Sequence, residues 1–203
     1  LHVLLYQFLG WNRPQFAHLP LILKPDGNGK LSKRDGDRLG FPVFPTEWKN
    51  PLTNEVSSGY REEGYFAEAF TNMLAFLGWN PGTPKEIFSM NELVEAFSLE
   101  RVGKAGAKFD FDKTKWFNQQ YLRAMSGAKL AELVAPFAQG QSVEKNYLSA
   151  ICDLMKERAT FPKDIWMESQ FFFKAPQLYD EKTVRKKWKE QTPAIQKELA
   201  NLL

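Results

Sequence analysis

A short cluster of cations follows a glycine-containing turn early in the chain. Lys30, Lys33 and Arg34 lie within five residues of one another, and Ser32 adds a hydroxyl between them. A turn of this kind can direct several cationic donors and backbone N–H groups toward one set of phosphate oxygens. A solvated basic hairpin tip explains the same residue types more simply. Phosphate binding therefore needs support from the surrounding segments.

The segments beside the cluster predict a hairpin. Residues 19–23 are apolar and predict a short strand, and residues 25–29 read Pro-Asp-Gly-Asn-Gly, which is typical of a tight turn. Glycines at positions 27, 29 and 36 would allow a loop at residues 30–34 to open and close. The sequence thus places the cations on a loop that leaves the second arm of the hairpin.

Most of the remaining chain has helical periodicity, and strands are scarce. Ser89, Asp112 and Asp180 precede three of the predicted helices as N-caps. Residues 40–58 contain three prolines and cannot form a regular helix, but their aromatic residues predict an ordered segment. The apolar spacing predicts helices at residues 2–9, 65–77, 90–97, 112–124, 127–138, 143–158, 180–191 and 193–203.

Composition indicates a globular protein. Hydrophobic residues make up 43% and charged residues 25% of the 203 positions, and the net charge is only +3. A mildly basic chain is compatible with a polyanionic partner without requiring one. The single cysteine, Cys152, excludes an internal disulfide and favours a buried thiol in a reducing compartment. No apolar run is long enough to span a membrane.

The hairpin and the segments after it resemble a known family. The stretch HLPLIL at residues 18–23, followed by KLSKR at residues 30–34, resembles the KMSKS motif of class I aminoacyl-tRNA synthetases in its glutamyl form. YREEGY at residues 60–65 and AKFDFDK at residues 107–113 are similar to later segments of bacterial glutamyl-tRNA synthetases. The resemblance is strong over about residues 1–125 and looser beyond.

The resemblance implies a part of an enzyme that activates L-glutamate with ATP and transfers it to tRNA(Glu), with Mg²⁺ as the expected metal. It implies that Lys33 is the principal ATP contact within the KLSKR motif (residues 30–34). Lys30 would support it, and Leu31, Ser32 and the loop amides would complete the phosphate cradle. Arg34 stands where the family commonly has a small polar residue, and it either adds charge or faces solvent.

The fold implied is mainly α, in three parts. Residues 1–58 would be the end of a nucleotide-binding catalytic domain that carries the KLSKR motif. Residues 59–125 would form a helical stem-contact domain, and residues 126–203 the first part of an α-helical anticodon-binding domain. A monomer in the cytoplasm, away from membranes, is the family expectation.

The family's other motif, His-x-Gly-His, does not occur, since His2 and His18 stand alone. The chain also opens without Met in an apolar helical pattern. We therefore expect a piece of a longer protein that lacks a complete set of catalytic residues and does not aminoacylate by itself.

Two basic tracts are candidates for tRNA binding. Cations along an RNA backbone give affinity without sequence readout, but a solvated helix face or loop explains such tracts as well. The first tract lies in a glycine-containing loop and consists of Arg101, Lys104 and Lys108. The second is predicted to form a stripe along one helix and consists of Lys182, Arg185, Lys186, Lys187 and Lys189.

Two other functions remain open on the sequence. A non-catalytic tRNA-binding module acting in trans would use the same basic tracts. A relative of glutaminyl-tRNA synthetases would share the KLSKR motif, but the helical continuation disfavours it because those enzymes place β-barrels after the loop.

Overall fold

A computed structural model describes residues 1–27, 29–138 and 143–202. The side chains of Lys33, Arg34 and Asp37 lie outside the described part, although their backbone is included. The predicted turn at Asn28 and the predicted helix end at Leu203 likewise fall outside the described residues.

The described residues are mainly helical, as the sequence predicts, with four two-residue strands. The strands are β1 (Ile22–Leu23), β2 (Trp48–Lys49), β3 (Val56–Ser57) and β4 (Ala107–Lys108). The α-helices are α1 (His2–Phe8), α2 (Lys33–Leu39), α3 (Tyr60–Glu63), α4 (Ala67–Ala75), α5 (Met90–Ala96), α6 (Phe111–Ala124), α7 (Gly127–Val134), α8 (Lys145–Met155), α9 (Pro162–Glu168), α10 (Glu181–Lys187) and α11 (Thr192–Leu202). Short 3₁₀ turns lie at Leu99–Arg101, Ala135–Ala138 and Gln170–Phe172.

The predicted hairpin is confirmed. Leu23 pairs with Lys30 in an antiparallel bridge, and the Leu31 N–H donates to the carbonyl of Ile22 at 2.9 Å. β1 also pairs in parallel with β4, which places Leu23 opposite Lys108. Because β4 comes from a distant part of the chain, the first hairpin arm is held against the segment that begins α6.

Helix starts follow the predicted caps at two of three places. Ser89 caps α5 and Asp180 caps α10, as expected. The prediction of Asp112 as a cap is wrong, because Asp110 accepts the Lys113 N–H at 2.9 Å and α6 starts at Phe111. Asp112 lies within the first turn of the helix.

Several helix bounds differ from the predictions. Residues 65–77 form a shorter helix, α4, because Phe66 has an extended backbone and serves as the N-cap. The predicted helix over residues 180–191 ends at Lys187, since the backbone at Trp188 is extended. Helix α9 was not predicted, although Pro162 stands at its first turn.

Among the described residues, two large buried clusters organise the chain, and a smaller third one consists of Trp79, Phe88 and Leu93. The first supports the KLSKR motif and contains Phe41, Tyr60, Tyr65, Met73, Phe109 and Phe117. The second packs α7, α8 and α9 against the end of α6, and it includes Leu122, Leu130, Val134, Leu148, Ile151, Cys152 and Ile165. The thiol of Cys152 is fully buried, in agreement with its predicted role as a small core residue, and burial raises its pKa to about 11.

A buried amide connects the two clusters. The Oδ1 of Asn118, on α6, accepts the Phe66 N–H at 2.8 Å, and its Nδ2 donates to the Thr160 carbonyl at 2.7 Å. Asn118 is completely buried. Its amide therefore pairs backbone groups at the start of α4 and just before α9 that packing would otherwise leave unsatisfied.

Residues 40–58 form an ordered non-helical segment, as predicted. β2 and β3 pair as an antiparallel hairpin, and the rings of Phe44 and Trp48 stack with centroids 5.0 Å apart. A Cβ added at Gly59 would lie 2.2 Å from the Thr46 backbone, so a glycine is required where the segment rejoins the helices. None of the described helices is long and apolar enough to cross a membrane.

Candidate functional site

The KLSKR motif lies at the junction between the hairpin and α2. Lys30 is exposed on the second hairpin arm, and Leu31 is half-buried against the cluster around Phe41. Lys33 and Arg34 have helical backbone and form the first two residues of α2. The predicted loop is therefore shorter than the motif, because a helix starts directly after Ser32.

A carboxylate outside the motif explains this helix start. Asp35 Oδ2 accepts the backbone N–H of Ser32 at 3.0 Å and its hydroxyl at 2.5 Å. Asp35 Oδ1 lies 3.2 Å from Lys24 Nζ and 3.2 Å from Arg38 Nη2. Only 7% of the Asp35 side chain is exposed. One carboxylate thus joins the first hairpin arm, the motif and the last turn of α2.

The partners of Asp35 stabilise its charged form. The Ser32 hydroxyl lowers the pKa of Asp35 most strongly, and the Ser32 N–H, Lys24 and Arg38 lower it further against the opposing effect of burial. Its pKa therefore lies well below the usual range for an aspartate. Because both oxygens are occupied by donors, Asp35 is neither a general base nor a free metal ligand.

Helix α2 is fitted closely to the segment after it. A Cβ added at Gly36 would lie 2.1 Å from Val43 Cγ2 and 3.0 Å from the Phe41 carbonyl oxygen. Gly40 ends the helix in the left-handed conformation, with φ at 75°, and the chain then turns to bury Phe41. The residues after the KLSKR motif thus rest on the first buried cluster.

The three cations of the first basic tract are exposed and have different neighbours. Arg101 donates to the carbonyl of Pro81. Lys108 reaches the hairpin turn, since a Cβ added at Gly27 would lie 2.9 Å from Lys108 Nζ. Lys104 is exposed and lines a cleft with His18. The grouping of these three cations as a tRNA surface stays a prediction, and the β1–β4 pairing adds that Lys108 lies beside Leu23 of the first hairpin arm.

The second basic tract is split by the end of α10. Lys182, Arg185 and Lys186 lie on the helix and are exposed, with Arg185 in a 3.5 Å ion pair with Glu181. Lys189 follows the helix, and its N–H donates to the Thr192 hydroxyl at 2.8 Å. The predicted continuous helical stripe from Lys182 to Lys189 is therefore wrong, and Lys187 is the last residue of α10.

The sequence predicts no role for two residues that the structure places beside the motif. These are Asp35, whose carboxylate accepts from Ser32, and Lys24, which pairs with Asp35. A signal was available, because a serine followed three residues later by an acidic residue is the pattern of a capping box. The Lys24 ion pair had no comparable signal, since it depends on how the hairpin folds back on α2.

Family models match most of the chain. The model described as tRNA synthetases class I (E and Q), catalytic domain, matches residues 1–116. The model described as anticodon binding domain matches residues 129–203.

Relatives and solved structures agree with these matches. The glutamate–tRNA ligase of Flavobacterium johnsoniae is 60% identical over 100% of this chain and 40% of its own length. That of Phocaeicola vulgatus is 56% identical over 100% of this chain and 41% of its own length. The crystal structure of a glutamate tRNA ligase from Elizabethkingia meningosepticum in complex with its amino acid superposes with a TM-score of 0.87. It is 51% identical and is matched over 98% of this chain and 40% of that structure.

The chain spans about 40% of the length of the curated relatives that it matches. The identity extends over the whole chain and includes both the hairpin and the later helices. The chain belongs to the glutamate–tRNA ligase family of class I aminoacyl-tRNA synthetases.

Proposed function

We propose that this chain is part of an ATP-dependent glutamate–tRNA ligase and that it supplies the ATP-phosphate loop and a tRNA-binding surface. The observation that carries the proposal is the way the hairpin joins α2. Ser32 donates two hydrogen bonds to Asp35, and the Lys33 backbone begins α2 directly after it. Relatives that match the chain from end to end are named as glutamate–tRNA ligases.

The loop acts in glutamate activation. A glutamate carboxylate oxygen attacks the α-phosphorus of ATP, the bond to the bridging oxygen breaks, and pyrophosphate leaves with the electron pair. Negative charge then grows on the phosphate oxygens, and a cation delivered there stabilises the transition state more than the ground state. We assign this role to Lys33, with exposed Lys30 as its support.

The cations of the loop suit phosphate binding. No three His, Cys, Asp or Glu side chains gather as a metal site within the described residues. Asp35, the carboxylate beside the motif, has both oxygens occupied by donors. We therefore do not assign Asp35 as a Mg²⁺ ligand.

The tRNA surface is assigned to the helical segments after the loop. We propose residues 1–58 as the end of the catalytic domain, residues 59–125 as a stem-contact domain, and residues 126–203 as the first part of the anticodon-binding domain. Exposed Lys182, Arg185 and Lys186 lie in the last of these and fit contacts to an RNA backbone. The cations of the first tract, Arg101, Lys104 and Lys108, are exposed as well.

The test is glutamate-dependent exchange of pyrophosphate into ATP by the longer ligase that contains this chain. We expect exchange with glutamate in the presence of tRNA(Glu), and none with glutamine. The 203 residues alone should bind tRNA but support no exchange. Exchange with glutamine instead of glutamate, or no exchange by the longer protein, would overturn the proposal, and the second outcome would favour a non-catalytic tRNA-binding module.

A further inference from the structure

The KLSKR motif is held by a residue that lies just outside it. We propose that Asp35 is the positioning residue of the ATP loop, and that Ser32 acts through Asp35 and not on ATP. The inference rests on the proposed function, because it assigns how that loop is held for phosphate binding. In this role Asp35 itself touches no substrate.

The two bonds from Ser32 fix the backbone that enters Lys33. The Ser32 N–H and hydroxyl both donate to Asp35 Oδ2, at 3.0 Å and 2.5 Å. Two donors from one residue to one oxygen leave that residue little freedom to rotate. Lys33 follows as the first residue of α2. The position of the Lys33 Cα is therefore defined by these contacts. This matters because a displacement of about 1 Å at a reacting group can cost about 10²-fold in rate.

The Ser32 hydroxyl is not available to donate to phosphate. A hydroxyl carries one hydrogen, and this one is donated to Asp35 in a charge-assisted bond. The lone pairs of the Ser32 oxygen can only accept hydrogen bonds, and the ionised oxygens of phosphate have no hydrogen to donate. A direct contact from Ser32 Oγ to ATP would require that bond to break. The structure thus points to a structural role for a serine that the resemblance had placed in the phosphate cradle.

The charge of Asp35 is balanced within the same cluster. An isolated carboxylate beside a phosphate site would repel the ligand. Lys24 and Arg38 each lie 3.2 Å from Asp35 Oδ1, and the Asp35 side chain is nearly buried. Asp35 can therefore hold the loop without opposing the charge of ATP.

The chain contains a second cluster of the same design away from the loop. At the start of α5, Glu92 accepts the Ser89 N–H at 2.8 Å and the Ser89 hydroxyl at 3.1 Å, and it pairs with Lys85 at 2.5 Å. Its side chain is 46% exposed. Ser89→Ala and Glu92→Gln thus form a matched control, because they remove the same kind of helix-start contacts without touching the KLSKR motif.

The experiment measures glutamate-dependent pyrophosphate exchange in the longer ligase that contains this chain. We expect Asp35→Ala to raise KM for ATP and to lower kcat/KM for ATP by about 10²-fold, with KM for glutamate unchanged. A smaller folded fraction would lower kcat alone. Asp35→Asn should give an intermediate loss, since an amide that accepts from Ser32 turns its NH₂ toward Lys24 and Arg38. Wild-type kinetics in Asp35→Asn would overturn the inference.

A double-mutant cycle tests the role of Ser32. If Ser32 acts through Asp35, Ser32→Ala combined with Asp35→Ala should be no worse than Asp35→Ala alone. Losses that add would show an independent contact of Ser32 with ATP and would contradict the inference. If Asp35→Ala does not fold, the same cycle with Asp35→Asn decides between these outcomes.

Lys33→Ala separates this inference from the proposed function. Near-normal exchange in Lys33→Ala would refute the ATP loop itself. A collapse of exchange in Lys33→Ala together with wild-type KM for ATP in Asp35→Asn would refute only the positioning role. In the control variants Ser89→Ala and Glu92→Gln, KM for ATP should stay at the wild-type value.

Discussion

Asn118 Nδ2 donates to the Thr160 carbonyl at 2.7 Å, across 42 residues of sequence. The same amide accepts the Phe66 N–H. One buried side chain therefore joins the helices that follow the KLSKR motif to the helices that the anticodon-binding model matches. These two hydrogen bonds hold the start of α4 and the segment before α9 to the same residue of α6.

Asn118→Ala should destabilise the chain strongly. The change leaves two backbone groups, the Phe66 N–H and the Thr160 carbonyl, without their partner in a buried site. We expect the free energy of unfolding to fall by about 2–4 kcal/mol, as for other unsatisfied buried groups. Urea unfolding followed by circular dichroism measures it. Asn80→Ala, which removes one exposed bond to the Gly82 N–H, is the control. Equal losses in the two variants would contradict the role of Asn118.

Gly36→Ala should disturb the packing of α2 on the following segment. The added Cβ would meet Val43 Cγ2 at 2.1 Å, and overpacking of this kind costs about 1–3 kcal/mol. Val43→Ala removes the clashing methyl, so the double variant should recover most of the loss. Thermal unfolding of the two single variants and the double variant measures the coupling. No recovery in the double variant would show that the Phe41 carbonyl, and not Val43, limits the space.

Glu92 should make stability depend on pH in acid. Lys85 and then Ser89 lower the pKa of Glu92 to about 2, whereas an unfolded glutamate has a pKa of about 4.3. Between these values the unfolded chain binds more protons, so the free energy of unfolding rises with pH and is lost as pH falls from about 4 to 2. Glu92→Gln should flatten this part of the profile, measured by thermal unfolding at several pH values. An unchanged slope would show that the contacts with Lys85 and Ser89 do not persist in solution.

Charge reversal on α10 should weaken tRNA binding. Changing Lys182, Arg185 and Lys186 to glutamate removes three exposed cations from one helix. Each lost phosphate contact should lower the slope of log K against log salt by about one. Fluorescence anisotropy with tRNA(Glu) at several salt concentrations measures this. Lys145→Glu, at an exposed lysine paired with Glu132, is the control. An unchanged slope in the triple variant would mean that α10 is a solvated face.

Local patterns were enough to predict the helical class, the hairpin and the caps at Ser89 and Asp180. Each of these depends on residues within a few positions of one another. The Pro-Asp-Gly-Asn-Gly turn fixes the hairpin, and a side-chain oxygen before an amphipathic run fixes a helix start. The wrong cap for α6 shows the limit of such patterns, since Asp110 and Asp112 lie two residues apart at the start of the same helical run.

Contacts between distant segments were not predictable. β4 is two residues long and is defined by its pairing with β1, which is 85 positions earlier at Ile22 and Ala107. That pairing brings Lys108 close to the hairpin turn, which no local pattern indicates. The ion pair between Lys24 and Asp35 likewise arises only once the hairpin has folded. The geometry of the candidate site therefore depended on tertiary structure, although its motif could be read from the sequence.

The most direct test of the ATP loop is glutamate-dependent pyrophosphate exchange by the longer ligase with Lys33→Ala. We expect the exchange rate to fall by about 10²–10³-fold, as for other donors that act on a developing charge. Lys145→Ala, on α8, should exchange at the wild-type rate. Near-normal exchange in Lys33→Ala would contradict the assignment of residues 30–34 as the loop that binds the phosphates of ATP.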